Sequence, residues 1–143
     1  QLFNELTYEN LDLVLDEIEA TQDLNIAIIF DDVGASLKNY DTMILMKKLI
    51  FNRRHLRTSV FFLVQTYYSI PKDIRKLFSN LFIFRVNKNE LTTIFDEIVE
   101  DKEITDIAPQ ISKLIYDKPY NFMFINTDSQ RIFKNFDELI IGV

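Results

Sequence analysis

Three features of the 143-residue sequence predict an α/β fold, a three-layer sandwich with a mainly parallel sheet and a C-terminal β-hairpin. Two short runs, residues 26–30 and 60–64, are apolar without interruption, the pattern of strands covered on both faces. Segments with apolar residues at helical spacing alternate with those runs, as expected for parallel strands joined by crossover helices. Near the C-terminus two strand patterns are joined by a polar turn. With 48% hydrophobic residues, the chain can fill the core of one domain spanning residues 1–143.

Taken in order, Leu11, Leu13, Val14, Leu15 and Ile18 recur among acidic residues over 8–21 and predict an amphipathic helix with an acidic outer face. The first apolar run stops at Asp31 and Asp32. Asp41 is placed to cap a helix carrying Met43, Ile44, Met46, Leu49 and Ile50, which leads into Asn52, Arg53, Arg54, His55, Leu56 and Arg57. The second run ends at Gln65 and Thr66. Pro71 fits the first turn of a short helix containing Asp73, Ile74 and Arg75, and a third strand comes after it over 81–86. Helical patterns cover 90–100 and 104–116, separated by Asp101, Lys102 and Glu103. Strands over 121–126 and 131–136 meet at Thr127, Asp128 and Ser129. No repeat, low-complexity tract or linker interrupts the series.

Composition excludes several classes. Sixteen Lys and Arg against 22 Asp and Glu give a formal net charge of −6, so no global basic field draws the chain to nucleic acid or anionic lipid, although a local basic patch remains possible. The absence of cysteine removes disulfides, thiolate nucleophiles and Cys-ligated zinc, and a single histidine, His55, rules out a multi-histidine metal site. The only glycines are Gly34 and Gly142. They cannot form GxxxxGK[ST] or a dinucleotide fingerprint within these residues. No apolar run approaches the length of a membrane span and no signal-peptide pattern opens the chain. Because it starts at Gln1 rather than Met, it is expected to be a piece of a longer protein.

The strongest chemical signal is the buried-strand pattern ending in Asp31-Asp32. In open parallel sheets ligands sit beyond the carboxyl ends of the strands. There the first carboxylate can hold a magnesium ion and the second can orient and deprotonate an attacking water; an acidic turn after a strand reads the same way. Gln65 ends the second run, and if the two strands are neighbours its amide stands at the same sheet edge, able to bond a γ-phosphate oxygen and the attacking water. The alternative is a strand-end amide bonded to backbone. Arg53, Arg54, His55 and Arg57 precede the second strand and so fall at the opposite edge, where a guanidinium could reach a neighbouring subunit's nucleotide, contact DNA, or simply face solvent. Arg75 is a further candidate for phosphate sensing or for a structural ion pair. His55 has no evident dyad partner. Tyr67 and Tyr68 could stack on bases or pack.

The segments IIFDDVG, NRRHLRTSVFFLVQTYYSIPKDIRKLFSNLFIFR and NELTTIFDEI resemble the DNA-packaging ATPases of nucleocytoplasmic large DNA viruses, the poxvirus-type members of the FtsK/HerA group of P-loop NTPases. The resemblance covers residues 26–99 and extends to the terminal hairpin. It implies a RecA-like core, here incomplete, with Asp31 coordinating Mg2+, Asp32 activating water and Gln65 sensing the γ-phosphate of ATP. Arg54, or Arg53 or Arg57 in its place, would act on a neighbouring subunit, with Arg75 as a second possibility. Such proteins form homo-oligomeric rings that drive double-stranded DNA into a preformed capsid, so capsid or portal-vertex proteins, and a virion or host-cytoplasmic viral factory, are the implied partners and location. One departure stands out: the phosphate-binding loop that should precede the Walker B strand is missing from these residues. The chain is therefore expected to be the portion of the ATPase domain from Walker B onward, inactive as an ATP hydrolase by itself. Another RecA-like DNA-translocating ATPase, and a non-catalytic α/β interaction module docking through its acidic first helix, are the competing readings.

Overall fold

The computed structural model describes residues 2–21 and 23–142. Contacts divide the chain into two compact units, Gln1–Leu77 and Phe78–Val143, each with its own core.

The first unit contains α1 (Tyr8–Ala20), β1 (Ile26–Asp31), α2 (Tyr40–Asn52), β2 (Thr58–Leu63) and α3 (Lys72–Arg75), with short 3-10 turns at Ser36–Lys38 and Tyr67–Ser69. Thr7 caps α1 by accepting from the Asn10 N–H at 3.1 Å, and the helix buries Leu11, Leu15 and Ile18, one face at i, i+4, i+7 spacing. Asn39, rather than Asp41, caps α2: its Oδ1 accepts from the Thr42 N–H at 3.0 Å. Asp41 instead sits in the first turn, where its charge complements the helix dipole. Leu45, Met46, Leu49 and Ile50 form the buried face of α2.

Strands β1 and β2 pair in parallel, from Ile26 opposite Thr58 to Asp31 opposite Leu63. On one face the Phe30 and Phe62 rings stack at 5.1 Å. The other face departs from the expected two-sided burial: Ile29, Phe61 and Leu63 are 64%, 50% and 53% exposed. Among the described residues of this unit, no second layer covers those side chains.

The second unit contains β3 (Asn80–Ile83), α4 (Lys88–Ile98), α5 (Lys102–Asp106), α6 (Ala108–Ile115), β4 (Met123–Asn126), β5 (Arg131–Lys134) and β6 (Asp137–Glu138). Its sheet runs β3-β4-β5-β6 and every pairing is antiparallel. The α/β class and the terminal hairpin stand as predicted, but parallel pairing is confined to β1 and β2. Between β3 and β4 the chain passes through α4, α5 and α6 and returns with β4 antiparallel to β3, and the turn after Asn126 makes β5 antiparallel again. The single helix expected over 104–116 is two. Pro109 stands at the start of α6, where its ring and missing N–H are tolerated but would break a continuing helix, so α5 stops at Asp106.

Side chains alternate across this sheet. Leu81, Ile83, Met123, Ile125 and Ile132 are buried, as are Leu91, Ile94, Phe95 and Ile98 of α4 and Ile111 and Ile115 of α6. The opposite face is aromatic. Phe82 stacks on Phe124 at 4.8 Å and Phe124 on Phe133 at 5.0 Å, while Phe122 meets Phe84 at 5.8 Å and Phe136 at 5.3 Å. Gln130, itself at φ 56, closes the end of α4: its amide donates to the Ile98 carbonyl and accepts from the Glu100 N–H.

Candidate functional site

The parallel register dictates what meets at the carboxyl end of the β1–β2 pair. Asp31 is the last residue of β1 and lies opposite Leu63, the last of β2. The Asp32 N–H then donates to the Leu63 carbonyl at 2.9 Å, which carries the pairing one residue beyond the strand. Asp32 does this with a left-handed backbone, φ 50, a conformation that aspartate tolerates better than most residues but that still costs on the order of 1 kcal/mol. Gln65 lies two positions after Leu63, so Asp31, Asp32 and Gln65 stand at one end of the strand pair. All three are exposed. A cavity of about 940 Å³ runs along β1 from Ile26 to Asp32 and is lined also by Leu6, Leu11 and Val14; Asp31 and Asp32 border it and Gln65 does not.

The segment after Gln65 is held closely. Ser69 bonds back to the Thr66 carbonyl through both its hydroxyl, at 2.7 Å, and its N–H, at 3.2 Å. Tyr67 and Ile70 are buried. Arg75, 7% exposed, lies over the Tyr67 ring with its guanidinium carbon 4.5 Å from the centroid. It donates to the Ile70 carbonyl at 3.2 Å and, more weakly, to the Tyr67 carbonyl at 3.4 Å. The same segment touches the loop after β1: a Cβ at Gly34 would stand 2.3 Å from the Ser69 carbonyl oxygen, closer than any side chain allows. Lys47 of α2 pairs with Asp73 of α3 at 2.7 Å, and this ammonium holds the Asp73 carboxyl below its ordinary pKa.

The basic run lies at the other end of the strands, as the sequence predicts. Arg57, at φ 48, accepts through its carbonyl from the Ile26 N–H at 3.0 Å, and Arg53 accepts from the Thr58 N–H at 2.8 Å. The Arg53 guanidinium turns back to the Ile50 carbonyl at 2.8 Å. Arg54, His55 and Arg57 are exposed; His55 and Arg57 border a smaller cavity of about 310 Å³ with Ile18, Asp23 and Leu56. Arg54 is thus apart from Asp31, Asp32 and Gln65 within one chain. Of the two tyrosines, Tyr67 is packed under Arg75 and Tyr68 is exposed. Gly34 and Ser69 were not singled out by sequence reasoning, although the scarcity of glycine made Gly34 a visible signal. Among the described residues no group of three or more His, Cys, Asp or Glu could by itself hold a metal, and no helix is long and apolar enough to cross a membrane.

Solved structures of similar fold include the genome packaging NTPase B204 of Sulfolobus turreted icosahedral virus 2. In complex with AMPPCP it matches with a TM-score of 0.66 and 15% identity over 94% of this chain and 63% of that one. In complex with ATP-gammaS the TM-score is 0.64 with 16% identity, over 96% of this chain and 74% of that one. The chain therefore spans less than two thirds of the AMPPCP-bound structure, and the likeness is one of fold, that of a partial RecA-like core. None of the curated proteins matches the chain. Residues 6–131 match the family described as Poxvirus A32 protein, and the chain belongs to that family.

Proposed function

We propose that these residues form part of an ATP-driven motor that moves double-stranded viral DNA into a capsid, as the portion of a RecA-like ATPase domain from the Walker B strand onward. The observation that carries this reading is the register of β1 and β2, with Asp31 opposite Leu63 and the Asp32 N–H on the Leu63 carbonyl. It puts residues 31, 32 and 65 at one end of the strand pair, the kind of place where open α/β sheets bind ligands, and so supports the reading. Family membership and a fold shared with a protein described as a genome packaging NTPase, solved with ATP analogues, agree with it.

In this reading Asp31 would hold Mg2+, Asp32 would accept a proton from the attacking water, and Gln65 would bond the γ-phosphate and that water. The donor set fits magnesium: exposed carboxylate oxygens are hard ligands, and Mg2+ ordinarily takes one or two carboxylates and completes its shell with phosphate and water. When bound, the ion supplies charge neutralisation on the phosphates. Arg54, exposed at the far end of the strands, is suited to reach a neighbouring subunit in a homo-oligomeric ring rather than its own chain's nucleotide. DNA, capsid or portal-vertex partners and a viral-factory or virion location belong to the same reading. The 143 residues contain no phosphate-binding loop, so by themselves they are expected not to hydrolyse ATP.

The test joins these residues to a phosphate-binding loop in one polypeptide and measures steady-state hydrolysis with ATP-gammaS binding in parallel. Asp32→Asn is expected to lower kcat at least about a hundredfold, the size of a general-base contribution, with binding retained. Hydrolysis unchanged by both Asp32→Asn and Gln65→Ala would refute the catalytic assignment of these residues, whereas no hydrolysis by the unsubstituted joined polypeptide would make the non-catalytic interaction module the better reading.

A further inference from the structure

We propose that Gly34 and Arg75 are positioning residues that clamp residues 66–70 through two separate contacts and so fix where Gln65 stands against Asp31 and Asp32. This rests on the reading of Gln65 as a γ-phosphate sensor. A sensor amide at a strand end has value only if its place is set to within a fraction of an ångström, because reach errors of about 1 Å can cost a hundredfold in rate. Gln65 itself is exposed and extends beyond the last paired residue of β2, so its position is set by the paired Leu63 before it and by residues 66–70 after it.

That segment is held by two separate contacts. In one, Gly34, three residues after Asp31, lets its loop press on the Ser69 peptide: the three atoms nearest a Cβ at this position all belong to Ser69, at 2.3, 3.0 and 3.0 Å. Gly34 has no positive φ, so glycine is required here by close approach and not by backbone conformation. In the other, Arg75 satisfies the Ile70 and Tyr67 carbonyls and covers the Tyr67 ring. Both bonds come from one terminal nitrogen, which leaves the guanidinium plane to lie over the ring; an ammonium can donate to the carbonyls but has no plane to stack. The loop carrying the two carboxylates and the segment carrying the amide are thereby joined by direct contact, and a displacement of one is felt by the other.

The closing experiment uses Gly34→Ala and Arg75→Lys. In the 143-residue chain, NMR is expected to show the Gln65 side-chain amide and the backbone amides of 31–34 and 65–70 shifting together in both variants. In the polypeptide joined to a phosphate-binding loop, both are expected to lower kcat about tenfold with KM for ATP within about twofold. Shifts in Gly34→Ala that stop at Ser69 without reaching Gln65 would overturn the proposal, as would a loss confined to KM. Should Arg75→Lys fail to fold, Gly34→Ala alone decides. If Gln65→Ala leaves hydrolysis unchanged while the amide shifts still travel, the clamp holds and the sensor reading fails, so the two outcomes are separable.

Discussion

Asp32 combines a strained backbone with an exposed carboxylate. Its φ of 50 is retained because the Asp32 N–H completes the pairing with Leu63, a hydrogen bond that offsets part of the left-handed cost. Strain held at a residue proposed to do chemistry makes a distinct prediction about stability. Asp32→Gly removes the steric penalty and adds a glycine's unfolded-state entropy, so it is expected to change stability by less than about 1 kcal/mol. Asp32→Val, a β-branched side chain in the same backbone, is expected to cost about 1–2 kcal/mol. Urea denaturation of the two variants tests this; equal stabilities would show that the left-handed turn is not held. That residues 31, 32 and 65 share one strand end was legible in the sequence because Asp31 and Gln65 each directly follow an uninterrupted apolar run, and that boundary is a local property. The use of Arg75 was not legible, since the carbonyls and ring that engage it are fixed by how the chain folds back after β2, which spacing along the sequence does not encode.

At the scale of elements, the same distinction separates what periodicity reveals from what it does not. The runs and amphipathic stretches gave the correct kind of element for both parallel strands, α1, α2, α4 and the hairpin. The antiparallel sense of β3 against β4 is fixed by tertiary pairing that apolar spacing does not encode, and the break at Pro109, which creates a separate α6, is a steric effect of one residue. Tyr116, just beyond α6, ties this layer to the sheet: its hydroxyl donates to the Ile83 carbonyl of β3 at 2.7 Å. Burial pushes its pKa up to about 12 from 10.0, because the phenolate is disfavoured away from water. The folded state thus binds the proton more tightly than the unfolded chain. The stabilisation is complete below the ordinary tyrosine value of 10.0 and is lost as the pH rises towards about 12. Tyr116→Phe is expected to lose about 1 kcal/mol at neutral pH through the missing hydrogen bond and to show a weaker fall in denaturation midpoint across that alkaline window. A pH dependence there identical to that of the unsubstituted protein would place the effect elsewhere.

At the scale of the whole chain, the poxvirus-type resemblance carried by the segments from IIFDDVG onward is borne out by the family match, yet each unit leaves an apolar sheet face open. In the first, Ile29, Phe61 and Leu63 are exposed; in the second, Phe82, Phe84 and Phe136 are 53%, 62% and 73% exposed, beside Phe122, Phe124 and Phe133. The sequence predicted strands covered on both faces because an all-apolar run encodes a demand for cover on both sides, whether or not these residues themselves supply it. Contiguous apolar surface of this kind promotes association in water, and a net charge of −6 opposes it weakly once salt screens charges beyond about 8 Å. The 143-residue chain is therefore expected to self-associate at about 50 μM and physiological ionic strength, a concentration where exposed-core species ordinarily aggregate. Phe84→Lys together with Phe136→Lys, both at exposed positions outside the buried layer, is expected to shift the light-scattering mass towards the monomer while preserving the circular-dichroism spectrum. If the unsubstituted chain is already monomeric at that concentration, the aromatic face does not drive association; if the double variant associates equally, the open face of the β1–β2 pair becomes the surface to substitute next, beginning at Phe61.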